Sequence, residues 1–159
     1  MNLFIESHQE LLSNLIDNNV EFIIIGGYSV IFHGYKRTTG DVDIWLKPDN
    51  ENRDKLITLL YKMDFEHRGI LAIAEQDFKK LLVFSIGEVP EKVDFLTQIS
   101  GIKFDEADKE KIIADIDGLP VPFLHLNHLV LSKFNTGRAK DKADIEELQK
   151  IIQETKDKR

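Results

Sequence analysis

One stretch of strand, turn, helix and strand limits most strongly what this chain can fold into. It begins with Val20 to Ile25, a continuous β-branched and aromatic run that is typical of a strand buried on both faces. Gly26 and Gly27 interrupt this strand, and the apolar residues that follow favour a short helix. A second strand is predicted from Asp41 to Leu46. The stretch therefore predicts a glycine turn that lies one short helix ahead of a strand with alternate aspartates.

The second strand places its two aspartates together. Because strand side chains alternate between the two faces, Asp41 and Asp43 should share a face with Trp45, and the apolar residues between them should face the other way. Aspartate is disfavoured in strands, and a second one two residues away repels the first. Carboxylate oxygens are the ligands that Mg²⁺ prefers. The pair therefore indicates a divalent metal site, and a solvent-facing strand edge or a cap is the alternative.

The glycine pair indicates a place for phosphate. A strand-to-helix turn exposes backbone N–H groups, the start of a helix adds partial positive charge, and no Cβ blocks the approach of a nucleotide. Gly26-Gly27 is also a common form of tight turn, so the pair alone is a weak signal.

Asp94 is the third carboxylate of interest. It lies in a strand predicted from Lys92 to Leu96, antiparallel to a strand over residues 81–86, and its apolar neighbours should face the opposite side of the sheet. If this strand lies beside the first aspartate strand, three carboxylates project from one face. Such a set suits two-metal phosphoryl transfer, with metals about 3.5–4 Å apart. Taken singly, Asp94 is more typical of a surface residue.

The rest of the chain alternates strands and helices. Ser7 to Glu10 has the form of a capping box, Pro48-Asp49-Asn50 should end the second strand and cap a helix, and Asp117-Gly118 is a strong hairpin signal. Residues 65–73 favour a short strand and loop, and 104–109 are acidic and undecided. We predict an α/β (α+β) domain with a mixed β-sheet flanked by helices. Its core spans residues 1–125, and residues 126–159 form a C-terminal helical extension packed on it.

Composition excludes several classes of function. The net charge of −7 argues against an extended grip on DNA, which needs clustered Lys and Arg, although a nucleic-acid end is still compatible. The absence of cysteine excludes thiolate metal sites and cysteine nucleophiles. No apolar run approaches the roughly 20 residues of a membrane span, and no signal-peptide pattern is present. We therefore expect a cytoplasmic protein without membrane contact.

Lys133 has an unusual predicted position. At helical spacing it falls on the apolar stripe of Leu126, Leu129 and Val130, so it should point inward, where lysine is rare. An anionic partner or a snorkelling side chain would explain this. With the basic residues just after it, Lys133 could also form a local patch for an RNA end; these residues are Arg138, Lys140 and Lys142.

The glycine pair, a spacer, Asp41-Val42-Asp43 and the later Asp94 resemble the signature of the nucleotidyltransferase-fold superfamily, which is related to polymerase β. Residues 26–44 are similar to a small bacterial branch. That branch includes lincosamide-type adenylyltransferases and the nucleotidyltransferase toxins of abortive-infection toxin–antitoxin systems. Segments between residues 129 and 148 resemble the C-terminal helical motif of the toxin-like members.

This resemblance implies a nucleotidyltransferase fold and an activity. The enzyme would transfer a nucleoside monophosphate from an NTP to a hydroxyl acceptor, which could be an RNA end, a protein or a small molecule. Mg²⁺ or Mn²⁺ would be held by the catalytic residues Asp41, Asp43 and Asp94. The implied nucleotide-binding residues are Gly26, Gly27, Ser29, Arg37, Lys133 and Arg138. Asp141 and Asp144 match site-supporting positions, and an antitoxin is an implied partner. The alternative is a non-catalytic protein that binds a nucleotide or a partner through the same fold.

Overall fold

The computed structural model of the chain describes residues 3–36, 39–134, 136 and 138–157. Within these ranges a six-stranded sheet is combined with seven helices. The helices are α1 (Glu6–Asp17), α2 (Gly26–Phe32), α3 (Asn50–Lys62), α4 (His67–Ala74), α5 (Phe104–Glu110), α6 (Leu126–Lys133) and α7 (Ala139–Asp157). The strands are β1 (Phe22–Ile25), β2 (Val42–Leu46), β3 (Val83–Ile86), β4 (Val93–Leu96), β5 (Ile112–Ile116) and β6 (Leu119–Phe123).

The sheet is mixed, as predicted. Its strand order is β3-β4-β2-β1-β6-β5. The pairs β2–β4 and β1–β6 are parallel, and the pairs β1–β2, β3–β4 and β5–β6 are antiparallel. The two central strands, β1 and β2, are covered on both faces and are apolar apart from Asp43.

Each face of the sheet carries its own hydrophobic core. Helices α1, α3 and α4 cover one face, where Ile44 of β2 is fully buried. Helices α5, α6 and α7 cover the other face, where Trp45 of β2 packs edge-on against Phe104 of α5. The alternation predicted for β2 is thus confirmed, and the C-terminal helices pack on the sheet. The division of the chain at residue 125 stays a prediction.

Most of the caps and turns predicted at the ends of helices and strands are confirmed. Asp49 caps α3 by accepting a hydrogen bond from the Asn52 backbone N–H at 2.7 Å. Asp117 and Gly118 have φ values of 52° and 89°, as a two-residue hairpin turn requires. The capping box predicted at Ser7 is wrong, because the N-cap of α1 is Ile5, two residues earlier, and it forms no side-chain cap.

Two segments that sequence patterns left open are helical. Residues 65–73 do not form a strand, because α4 spans most of them and buries Ile70 alone against the core. The acidic segment 104–109 lies in α5, where Phe104 and Ala107 are buried three residues apart on one helix face. No described helix is both long enough and apolar enough to cross a membrane.

Candidate active site

The parallel pairing of β2 with β4 brings two of the predicted catalytic carboxylates together. Asp43 lies directly opposite Asp94 in the register of the two strands. Residues opposite each other on neighbouring strands project from the same face, so both side chains rise toward the helices α6 and α7. Asp41 precedes β2 and lies two residues from Asp43, on the same face. The predicted convergence of these carboxylates on one face is therefore observed.

Two residues that sequence reasoning missed hold Asp94. The Lys92 Nζ atom lies 3.4 Å from Asp94 Oδ1 and 3.8 Å from Asp41 Oδ2. Ser85, which pairs with Asp94 across β3 and β4, donates a hydrogen bond from its Oγ to Asp94 Oδ1. Because Lys92 lies two residues before Asp94, strand alternation could have predicted that both side chains lie on the same face of the sheet. Nothing in the sequence indicated the register that places Ser85 there.

Negative charge accumulates around Asp43. Burial, together with the nearby Asp94 and Asp41 carboxylates, raises the pKa of Asp43 to about 6, and Lys140 and Lys133 oppose this rise. The repulsion among these groups is what a hard cation would relieve, and their oxygens are the donors that Mg²⁺ and Mn²⁺ prefer. The donor set therefore fits a divalent ion in its chemistry.

The spacing of these groups is not that of a complete metal cage. Among the residues that the structure describes, no three carboxylate or imidazole groups are arranged so that one metal ion could bind them together. Two of the three carboxylates instead contact the ammonium of Lys92. The metal-ligand role of Asp41, Asp43 and Asp94 stays a prediction.

Gly26 packs against Asp43 so closely that no side chain fits. Its φ is +67°, and a Cβ atom placed on it would lie 2.2 Å from Asp43 Oδ2. The first glycine of the pair is thus required both by backbone conformation and by the close approach of Asp43. Gly27 follows it, buried in the first turn of α2. Contact of either glycine with phosphate stays a prediction.

We expect alanine at Gly26 to abolish the nucleotidyl transfer that the family resemblance implies, because the new Cβ must push the Asp43 carboxylate aside. Gly118 is a matched control, since its φ is +89° and a Cβ there would meet no atom within 4 Å. Both substitutions should cost roughly 1–2 kcal/mol of unfolding free energy from the left-handed backbone, measured by urea denaturation. Gly118→Ala should keep full activity. A Gly26→Ala variant that is as active as Gly118→Ala would contradict the close packing.

A second charged cluster faces Asp43 from helices α6 and α7. The buried Lys133 Nζ lies 2.9 Å from Asp141 Oδ1 and 3.0 Å from Asp144 Oδ2. Thr136 Oγ1 and Arg138 Nε each donate to Asp141 Oδ2 at 2.7 Å. Burial opposes ionisation of Asp141, but these hydrogen bonds prevail and lower its pKa to about 2. The anionic partner expected for Lys133 exists, and the chain itself supplies it.

Asp43 and the second cluster line one cleft of about 380 Å³. This volume falls within the range of ligand pockets in proteins. The lining of the cleft includes Gly26 at the start of α2, Asp43 of β2, Lys133 of α6, and Arg138, which directly precedes α7. Residues 98–100, which follow β4, also line it. The cleft therefore joins segments that lie far apart in the sequence.

Two of the predicted nucleotide-binding residues that the structure describes, Gly27 and Ser29, are not among those that line this cleft. Ser29 is fully buried in α2, and its Oγ has no hydrogen-bond partner among the described residues. Arg37 lies outside the described residues. The predicted basic patch is weakened at Lys133, whose charge is compensated by two carboxylates. The nucleotide-binding roles of these residues stay predictions.

Sequence comparison places the chain in a family. Residues 3–156 match the profile of the family described as "Nucleotidyltransferase of unknown function (DUF6036)". This match spans nearly the whole chain. A comparison with curated protein sequences gave no significant match.

Solved structures show the same fold. The lincosamide antibiotic adenylyltransferase LnuA, solved with lincomycin bound, is 18% identical, with 95% of this chain and 99% of that chain covered and a TM-score of 0.58. TM1012 from Thermotoga maritima is 19% identical over 92% of this chain and 91% of its own, with a TM-score of 0.58. The antibiotic-resistance factor ANT(2'')-Ia is 14% identical over 96% and 90%, with a TM-score of 0.55. At these identities the likeness shows the nucleotidyltransferase fold.

Proposed function

Because the chain belongs to this family of nucleotidyltransferases, we propose that its cleft moves a nucleoside monophosphate from an NTP to a hydroxyl acceptor. One observation carries this proposal. The register of β2 and β4 sets Asp43 beside Asp94, and Asp43 lines a cleft that Lys133 and Arg138 also line. Carboxylates close to an exposed guanidinium such as that of Arg138 suit a phosphate chain that reacts at one end and is held at the other.

The carboxylates have separate tasks in this proposal. Bound Mg²⁺ or Mn²⁺, held by Asp41, Asp43 and Asp94, would neutralise charge on the phosphates. Asp94, oriented by the Ser85 hydroxyl, accepts the proton of the acceptor hydroxyl. The acceptor oxygen then forms a bond to the α-phosphorus as the bond to pyrophosphate breaks, and pyrophosphate leaves with the electron pair.

Arg138 is a better candidate than Lys133 for direct contact with phosphate. The Arg138 side chain is 70% exposed, whereas the Lys133 side chain is 9% exposed and lies against two carboxylates. A guanidinium has five N–H donors, and its Nε contact with Asp141 uses one of them. In this proposal Arg138 binds the triphosphate, and Lys133 fixes the helices that present it.

A small hydroxyl compound is the acceptor that we favour. LnuA, a lincosamide antibiotic adenylyltransferase, is covered over 99% of its length by this chain. A chain of this size can therefore form an enzyme of that kind without a separate acceptor domain. The net charge of −7 also disfavours a long nucleic-acid acceptor. An RNA end, an antitoxin partner and a cytoplasmic location stay predictions, and no observation here favours the toxin role.

The proposal is tested with purified protein and each α-labelled NTP in turn. The acceptors are lincosamide and aminoglycoside compounds, tRNA and a fractionated cell extract, each with Mg²⁺ or with EDTA. We expect one NTP to label a small-molecule fraction and to release pyrophosphate, and EDTA to abolish both. If calorimetry detects NTP binding but the NTP releases no pyrophosphate with any acceptor fraction, a non-catalytic binding protein is favoured instead.

A further inference from the structure

The carboxylate face of the sheet also carries a lysine. Lys92 lies two residues before Asp94, so strand alternation places both side chains on the same face. The β2–β4 register pairs Val42 with Val93, which sets Lys92 beside Asp41. The backbone therefore directs Lys92 into the group formed by the aspartates.

The Lys92 ammonium lies between two of the predicted metal ligands. Its Nζ is 3.4 Å from Asp94 Oδ1 and 3.8 Å from Asp41 Oδ2. The Lys92 side chain is 35% exposed, so these contacts are only partly screened by water. An ammonium placed in this way compensates the same charges that a divalent cation would compensate.

We propose that the Lys92 ammonium competes with a divalent cation for the carboxylates of Asp41 and Asp94. This inference rests on the proposed function. Both cations need the same carboxylate oxygens, and repulsion between them disfavours simultaneous binding. Lysine suits such a role because its ammonium sits on a flexible four-carbon stem and can leave the carboxylates without movement of the backbone.

Because of this competition, the affinity of the site for a cation depends on whether a nucleotide is bound. Mg²⁺ in phosphoryl-transfer sites is commonly held by one or two carboxylates together with substrate phosphates. Without nucleotide, a cation must displace Lys92 using protein ligands alone. With nucleotide, the phosphates add ligands for the cation and also offer the displaced ammonium a new anionic partner. Lys92 therefore lowers cation affinity in the absence of NTP.

The test is the affinity of the full-length protein for Mn²⁺, measured without nucleotide by electron paramagnetic resonance of the free ion. Removal of the competing charge in Lys92→Met should tighten Mn²⁺ binding about tenfold. Lys92→Arg keeps the charge and should stay close to the unmodified protein. The matched control is Lys47→Met, because Lys47 Nζ also lies near two carboxylates, 3.3 Å from Glu21 Oε2 and 3.9 Å from Asp49 Oδ2, and is 34% exposed. It should leave Mn²⁺ affinity unchanged.

Unchanged or weaker Mn²⁺ binding in Lys92→Met would overturn the inference. A further pair of variants separates this result from failure of the proposed function. If Asp94→Asn removes Mn²⁺ binding while Lys92→Met has no effect, the carboxylates bind metal and the role of Lys92 alone is wrong. If neither Asp94→Asn nor Lys92→Met alters Mn²⁺ binding, both the proposed metal site and the role of Lys92 are wrong. Weaker NTP binding in Lys92→Met at unchanged Mn²⁺ affinity would make Lys92 a phosphate contact and would also overturn the competition.

Discussion

Asparagine in place of Asp43 is expected to lower nucleotidyl transfer by about 10³-fold and to stabilise the fold at neutral pH. Transfer falls because the amide keeps the shape of the side chain but removes the charge that the cation and phosphates require. Activity is measured as pyrophosphate release at saturating Mg²⁺. Asp54→Asn, at an exposed position on α3, is the control and should keep full activity. A fully active Asp43→Asn variant would overturn the assignment of the site.

The stability gain in Asp43→Asn follows from the sign of the pKa shift. The pKa of Asp43 is about 6 in the folded protein and 3.8 in a model peptide, so the fold favours the protonated carboxyl. This favourable contribution is fully present below pH 4 and is lost as the pH rises through 6. Above that pH the ionised carboxylate of Asp43 destabilises the fold by about 3 kcal/mol, and asparagine avoids this cost.

This pH dependence is measured by thermal unfolding of both proteins from pH 4 to pH 8 in buffer with EDTA. The melting temperatures should coincide near pH 4, and the Asp43→Asn variant should melt at a higher temperature above pH 7. An Asp43→Asn variant that is less stable than the unmodified protein at pH 7 would contradict the raised pKa of Asp43. A gain of stability with loss of function would show that this charge is retained for activity.

The sequence specified the individual strands of the site better than their arrangement. The period-two pattern of β2 correctly separated Asp43 and Trp45 from Ile44, because each face of this strand packs into a different core. Local turn chemistry likewise predicted a helix cap within residues 48–50, and the structure shows that Asp49 provides it. The neighbour relation of β2 and β4 does not follow from either pattern, since it depends on a crossover between parallel strands. The family resemblance implied that Asp94 belongs with the other aspartates.

The contacts that tune the site could not be predicted from local patterns. Ser85 reaches Asp94 through the register of β3 against β4, and a shift by one residue would turn it to the opposite face. Helix α4 was missed because its continuous apolar run resembles a strand, although only Ile70 is buried. The inward position of Lys133 was predictable from helical spacing. Its partners Asp141 and Asp144 lie on α7, and no sequence pattern predicted how α7 packs against α6.

The partners of Lys133 imply the second large effect. We expect Lys133→Met to lower the free energy of unfolding by about 3 kcal/mol, because it leaves two buried carboxylates without their shared cation. For a domain of this size the melting temperature should fall by about 10 °C. The matched control is Lys150→Met, which breaks an exposed ion pair with Glu147 and should cost less than about 1 kcal/mol.

A double variant separates loss of the ion network from loss of packing. Asp144→Asn in the Lys133→Met background removes the charge of one of the two carboxylates that pair with Lys133, so it should recover part of the lost stability, as a double-mutant cycle would report. If Lys133→Met costs no more than Lys150→Met, the buried network is not what holds α6 against α7. Because the expected loss appears without nucleotide, reduced transfer by Lys133→Met does not identify a phosphate contact. Arg138→Ala, at an exposed side chain of the same cleft, tests that contact without removing a buried charge.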